Sequence, residues 1–143
     1  MMDERVAAAA LAEIDGLHRF FVDWFLGRCP KSRAGFARVA DALAPGFVQI
    51  DPQGCERRRA PLLAALRAAH GCRAGEGFAI RIVRPTVRLV HRGLVLATYE
   101  ERQRSGGATT RRRSSALLGP APAAPTGVAW LHLQETWIEP PAR

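Results

Sequence analysis

The stretch Leu43-Ala44-Pro45-Gly46-Phe47-Val48-Gln49-Ile50-Asp51-Pro52-Gln53-Gly54 decides how this chain folds. Pro45-Gly46 marks a tight turn after a helical segment, and Pro52-Gln53-Gly54 marks a second turn. Between them Phe47, Gln49 and Asp51 alternate with Val48 and Ile50, the period of a short strand over Phe47–Asp51. The Asp51 carboxylate therefore points to the same side as Phe47. A carboxylate beside an aromatic ring at a strand end is a candidate wall of a ligand cavity.

Upstream of this stretch the period is helical. Leu11, Ile14, Leu17, Phe21, Trp24 and Phe25 recur at three- and four-residue steps over a helix from about Asp3 to Leu26, which Gly27 and Pro30 stop. A stripe ending in three aromatic rings is core at one end and fits a pocket wall at the other. A second helix is predicted over Ser32–Leu43, with Ser32 as its N-cap, and a third over Pro61–His70, with Pro61 in its first turn. His70 is read there as a cation set against the helix dipole.

Downstream the period changes to two. Phe78–Val90, with a break at Pro85, Leu94–Arg104, Thr109–Leu118 and Val128–Ile138 read as long strands. His91-Arg92-Gly93 and Ser105-Gly106-Gly107 form hairpin turns, and Gly119–Gly127 forms a loop. Helices followed by an antiparallel meander predict an α+β fold: a strongly curved antiparallel sheet, shaped as a cone, with three helices on its concave face. The whole chain, 1–143, is expected to form one domain with an ordered core over about 5–139.

Composition sets the limits. Apolar residues make up 48% and charged residues 24%, the balance of a soluble globular domain, and no run approaches the roughly 18 apolar residues of a membrane span. Val6–Ala12, flanked by Asp3, Glu4 and Glu13, is not a signal peptide, so the chain is expected in the cytoplasm. The net charge of +8 invites a nucleic-acid partner, but Lys31 is the single lysine among 21 basic residues and the arginines are spread along the chain. A solvated basic surface is the better reading. Cys29, Cys55 and Cys72 are widely spaced, with no histidine at ligand spacing, so free thiols are expected and no metal or cofactor site.

Strand alternation assigns the inner face. Val95, Ala97, Tyr99, Glu101 and Gln103 share one side of their strand, Arg112, Ser114, Ala116 and Leu118 one side of the next, and Leu131, Leu133, Glu135 and Trp137 one side of the last. Trp130 and His132 are placed on the opposite side. This brings Glu101, Arg112 and Glu135 into one partly apolar space, with Arg112 between two carboxylates. Two roles remain open for the trio: an ion-pair network fixing three strands, or contacts to a polar ligand. His18, His91 and His132 look isolated, and neither a nucleophile motif nor a phosphate-binding glycine loop is present.

Phe47-Val48-Gln49-Ile50-Asp51-Pro52-Gln53-Gly54 and Trp130-Leu131-His132-Leu133-Gln134-Glu135-Thr136-Trp137, together with the helix–strand order, resemble the nuclear-transport-factor-2-like (cystatin-like) superfamily. Within it, Val87-Arg88-Leu89-Val90, Ala97-Thr98-Tyr99 and Leu131-His132-Leu133-Gln134 look closest to bacterial domains related to the association domain of calcium/calmodulin-dependent kinase. The resemblance implies a cone with an internal cavity and a homodimer through the outer face of the sheet. Glu101 and Glu135 stand where the kinase domain carries cavity arginines. Asp51-Pro52-Gln53-Gly54 is also similar to the Asp-Pro-x-Gly of ketosteroid isomerases, which implies a general base at Asp51. Those enzymes keep a tyrosine on the first helix, whereas the one tyrosine here is Tyr99, on a strand.

The expected function is a homodimeric pocket protein for a small, partly apolar ligand. Its walls would be Trp24, Phe25, Phe47 and Trp137, and its polar contacts Asp51, Tyr99, Glu101, Arg112 and Glu135. A cofactor-free isomerase, dehydratase or cyclase with Asp51 or Glu101 as base is one alternative, and a non-catalytic oligomerisation module is the other.

Overall fold

The computed structural model describes residues 1–143. In chain order it holds α1 (Met2–Leu26), α2 (Arg33–Ala40), β1 (Leu43–Ile50), β2 (Glu56–Arg58), α3 (Arg59–Ala68), β3 (Ala79–His91), β4 (Leu94–Ser105), β5 (Ala108–Pro120) and β6 (Val128–Glu139). The strands form one curved, unclosed sheet in the order β2-β1-β6-β5-β4-β3. The helices cover its concave face, so the expected α+β arrangement is found. No helix is long and apolar enough to cross a membrane.

Each element has a local cause. The C-cap of α1 is Gly27 at φ 73°, whose N–H closes the last turn on Trp24. Ser32 caps α2 by accepting from the Gly35 N–H at 3.0 Å. The far end of α2 is held by Arg59, which donates to Ala40 O at 2.7 Å and Leu43 O at 3.0 Å. The β4–β5 hairpin turns on Gly106 and Gly107, both at positive φ, a two-residue loop whose twist matches the flanking strands.

Four details depart from the sequence reading. The second helix ends at Ala40, short of Leu43, because Leu43 already pairs with Trp130 in the sheet. The strand after it therefore begins before Pro45-Gly46, and a register shift between Leu43 and Val48 absorbs that turn. This strand, β1, runs parallel to β6, so the sheet is mixed; β2 is an additional short edge strand. His70 donates to Cys29 O at 2.6 Å and packs edge-on against Trp24 at 4.6 Å, serving as a tie between α3 and the end of α1.

A further departure concerns the last strand. Leu117 pairs with His132 but Leu118 pairs with Trp130, so Leu131 is an extra residue, a bulge. One inserted residue flips every side chain on one side of it. Trp130 is thereby turned inward, 1% exposed, while Leu133, Glu135 and Trp137 keep their inner positions opposite Ala116, Ser114 and Arg112.

The core packs Ile14, Leu17 and Trp24 of α1 and Phe36 and Val39 of α2 against Val95, Ala97, Ala116, Leu118 and Trp130 of the sheet. At its centre lies a charged residue. Glu13 is fully buried, and both of its oxygens are satisfied: Arg38 donates to each at 3.1 and 2.8 Å, Thr126 Oγ1 to one at 2.7 Å and Trp130 Nε1 to the other at 2.8 Å. One carboxylate thus ties α1 to α2, to the β5–β6 loop and to β6. Removing it strands a half-buried guanidinium and an indole N–H, so Glu13→Ala is expected to cost about 3–5 kcal/mol. Urea denaturation checks this, and in the double variant with Arg38→Ala the two losses should add to less than their sum.

Candidate functional site

Between α1, α3 and the concave face lies a cavity of about 200 Å³. Its apolar wall includes Phe21 and Phe25 of α1, Phe47 of β1, Leu62 and Leu66 of α3, and Leu133 of β6. Its polar lining is His18, Gln49, Arg57, Glu101, Gln103, Arg112 and Glu135. Alternation along β1 carries Phe47 and Gln49 inward together. The pairing of Glu101 with Arg112 on β4–β5, and of Arg112 with Trp137 on β5–β6, sets these side chains in one row across the sheet.

The charges are arranged in pairs. His18 Nδ1 lies 2.7 Å from Ile14 O and its Nε2 lies 3.0 Å from Glu101 Oε1. Ile14 O can only accept, so Nδ1 donates to it; opposite an ionised Glu101, Nε2 donates as well and His18 is an imidazolium. Glu101 takes a further hydrogen bond from the Gln103 amide. Glu135 accepts from Gln49 Nε2 at 2.6 Å and from Arg112 at 3.2 Å, while the Arg112 guanidinium stacks on Trp137 at 4.8 Å. Arg112 therefore bonds one carboxylate, Glu135, and the partner of Glu101 is His18.

Environment then separates the two acids. Burial alone would push Glu101 up, but the His18 charge and hydrogen bond, with the charge of Arg112, outweigh it and hold its carboxyl at about 2. Glu135 is raised, first by burial and then by the nearby Glu101 charge. Burial opposes the charge on His18, yet Glu101 raises it above the ordinary histidine value. The Tyr99 hydroxyl is pushed well above its usual range by burial and by both carboxylates.

Four of the nine residues expected at the site stand outside the cavity lining. Asp51 is occupied by its own turn: Oδ1 accepts from the N–H groups of Gln53 at 3.0 Å and Cys55 at 2.9 Å, and the other oxygen lies 3.4 Å from Arg57. It is the clamp of the β1–β2 turn. Trp24 is buried in the core and donates to Leu66 O at 2.7 Å. Trp137 backs Arg112 from a neighbouring vestibule, where Arg73, Glu76 and Phe78 also lie. Tyr99 lies behind the row, its ring edge-on to His18 at 5.5 Å. Phe25, Phe47, Glu101, Arg112 and Glu135 are brought together as expected.

Sequence reasoning missed His18, Gln49 and Gln103 as lining residues. The signal for His18 was present, since it sits one position after Leu17 on the apolar stripe, and a histidine there needs a buried partner. Four buried side-chain atoms have no hydrogen-bond partner: Gln49 Oε1, Tyr99 Oη, Arg112 Nε and Ser114 Oγ. All belong to the concave face around Glu135.

The His18–Glu101 pair has a definite pH signature. Glu101, with its lowered value, contributes stability above about 4.5 that is lost as pH falls towards about 2. His18, with its raised value, contributes stability below about 6.5 that is lost as pH rises through its folded value. Ionising the raised Glu135 also weakens the fold as pH rises above 4.5. The melting temperature should therefore peak on the acid side of neutrality. Glu101→Ala, which leaves a buried imidazolium alone, should cost about 3–5 kcal/mol at about pH 6. Nitrogen NMR of the His18 ring at that pH should report two protonated nitrogens, and a neutral ring there would contradict the pairing.

No protein-family model matches this chain, and no curated protein matches it. Solved structures do. An NTF-2-like protein of unknown function from Pseudomonas aeruginosa superposes with a TM-score of 0.79 at 23% identity, covering 90% of this chain and 98% of that one. A CaMKII hub from S. rosetta gives 0.68 at 12% identity over 91% and 95% of the two chains. An uncharacterised protein with a cystatin-like fold from Caulobacter vibrioides gives 0.65 at 16% identity over 93% and 89%. At these identities the likeness is one of fold. The bent sheet, the three helices over it and these superpositions together give the chain the nuclear-transport-factor-2-like, or cystatin-like, fold.

Proposed function

We propose that this chain is a small-molecule-binding protein whose partly apolar ligand occupies the concave cavity. The observation that carries the proposal is the lining of that 200 Å³ space: aromatic and leucine side chains on the helix side, and at its floor a polar row that leaves Gln49 Oε1 and Arg112 Nε without partners. A purely structural network would satisfy its own members, as the Glu13 network does. Phe25, Phe47, Glu101, Arg112 and Glu135 are the ligand contacts carried over from the sequence, and His18, Gln49 and Gln103 join them. Free thiols at Cys29, Cys55 and Cys72 fit a reducing, cytoplasmic setting.

Filling the cavity tests this. Leu133→Trp should abolish ligand-induced thermal shifts across a panel of small cyclic compounds while costing about 1–3 kcal/mol of stability. Asp51→Asn should leave those shifts in place, because Asp51 lies outside the lining. Shifts that survive in Leu133→Trp would remove the cavity as the binding site.

A second role is favoured by Glu135, an acid with a raised pKa in a cavity beside one held low, the separation used for proton transfer. A cofactor-free isomerase, dehydratase or cyclase would use Glu135 in place of Asp51. Deuterium exchange next to the carbonyl of cyclohexanone, present in the native protein and lost in Glu135→Gln, would support it; no exchange above the background rate would dismiss it.

Self-association through the convex face is proposed on separate grounds. Leu89, Leu94 and Leu96 are 58%, 40% and 36% exposed there, and Leu131 approaches Leu94 across Gly119. A homodimer would cover this patch, in keeping with either a pocket protein or a non-catalytic oligomerisation module. Leu96→Glu should shift a dimer to monomer by light scattering, and an unchanged mass would place the contact elsewhere.

A further inference from the structure

The polar half of the cavity is more specific than a mixed lining requires. Every charged side chain on it already has its opposite: His18 with Glu101 at 3.0 Å, Arg112 with Glu135 at 3.2 Å, and Arg57 with Asp51 at 3.4 Å. His18 counts as a cation because both of its ring nitrogens face acceptors. The balance among these lining pairs leaves no charge for a ligand to neutralise.

Among the fully buried polar atoms of the lining residues, one acceptor and one donor are left over. Glu135 is gripped by Gln49 on one oxygen and by Arg112 on the other. The unpartnered atoms are the remaining polar atom of that same amide, Gln49 Oε1, and the Nε–H of that same guanidinium. A hydroxyl or carboxamide supplies the donor and the acceptor together. A carboxylate offers acceptors only, and would face the Gln49 oxygen and the Glu135 lone pairs. An ammonium offers donors only, and would bring a cation against Arg112.

We propose that the cavity selects compact, uncharged ligands with an apolar body and a hydroxyl or carboxamide head, and rejects the matching carboxylate and ammonium. This specificity rests on the reading of the concave cavity as a ligand site. A charged ligand would enter a low-dielectric space as an unpaired ion, and burying such a charge without a partner costs more than the hydrogen bonds return. The selectivity is held by charge count, so changing one member of the Arg112–Glu135 pair should redirect it rather than abolish it.

Three isosteric probes test this on the full-length protein: cyclohexylmethanol, cyclohexanecarboxylate and cyclohexylmethylamine. Binding is followed at about pH 6, where the last two probes are charged, through the Trp130 indole signal and backbone amide shifts in NMR titrations. The alcohol should bind saturably and the other two at least about tenfold more weakly. Glu135→Gln, which removes one negative charge, should make the carboxylate the best of the three; Arg112→Gln should do the same for the amine. If one variant fails to fold, the other carries the test. A charged probe that matches the alcohol in the native protein, or an unchanged ranking in a folded variant, overturns the selectivity and leaves the pocket standing. If none of the three moves the cavity signals, the pocket reading falls and the selectivity with it.

Discussion

An ionised side chain inside a protein is tolerated only where its opposite is within reach, and this constraint organises the concave half of the molecule. His18 on α1 meets Glu101 on β4, so the longest helix is fixed over the sheet at a polar point as well as by its rings. The same rule places Arg112 against Glu135 and Glu13 against Arg38. The apolar core supplies most of the favourable burial. The ion pairs decide register: sliding α1 by one residue would strand Glu13 and His18 at once.

The two buried networks differ in a way that separates scaffold from site. Around Glu13 every oxygen is used, by Arg38, Thr126 and Trp130, and the group joins four segments of chain. Around Glu135 the carboxylate is satisfied but its partners are not, since Gln49 and Arg112 each keep one atom unpaired. A closed network holds the fold together. A network with leftover hydrogen-bonding capacity beside a cavity is suited to hold a guest.

Much of the fold was legible from alternation. The inner positions of Tyr99, Glu101, Arg112, Ser114, Leu133 and Glu135 follow from period two and hold in the structure. Trp130 was misplaced because a single bulge residue, Leu131, reverses parity, and nothing local in Ala129-Trp130-Leu131-His132 announces it. The parallel pairing of β1 with β6 was equally silent, being a property of chain path rather than of either strand. Asp51 misled for a different reason. Alternation set it on the inner side, but the N–H groups of the following turn take the carboxylate and it stands outside the cavity lining. His18 was overlooked although it lies on the apolar stripe of α1, because its partner Glu101 is 83 residues away in the sequence.

Glu101 and Glu135 share one sheltered space and are driven apart there, Glu101 held low by His18 against its burial and Glu135 raised by burial and by the Glu101 charge. Carbon NMR titration of the glutamate carboxyls, with Glu101→Gln and Glu135→Gln to assign the signals, measures this directly. Glu101 should stay ionised down to about 2 while Glu135 takes up its proton above the ordinary value of 4.5. Both carboxyls titrating together at that ordinary value would mean that they stand in open water, and the sheltered cavity would not exist.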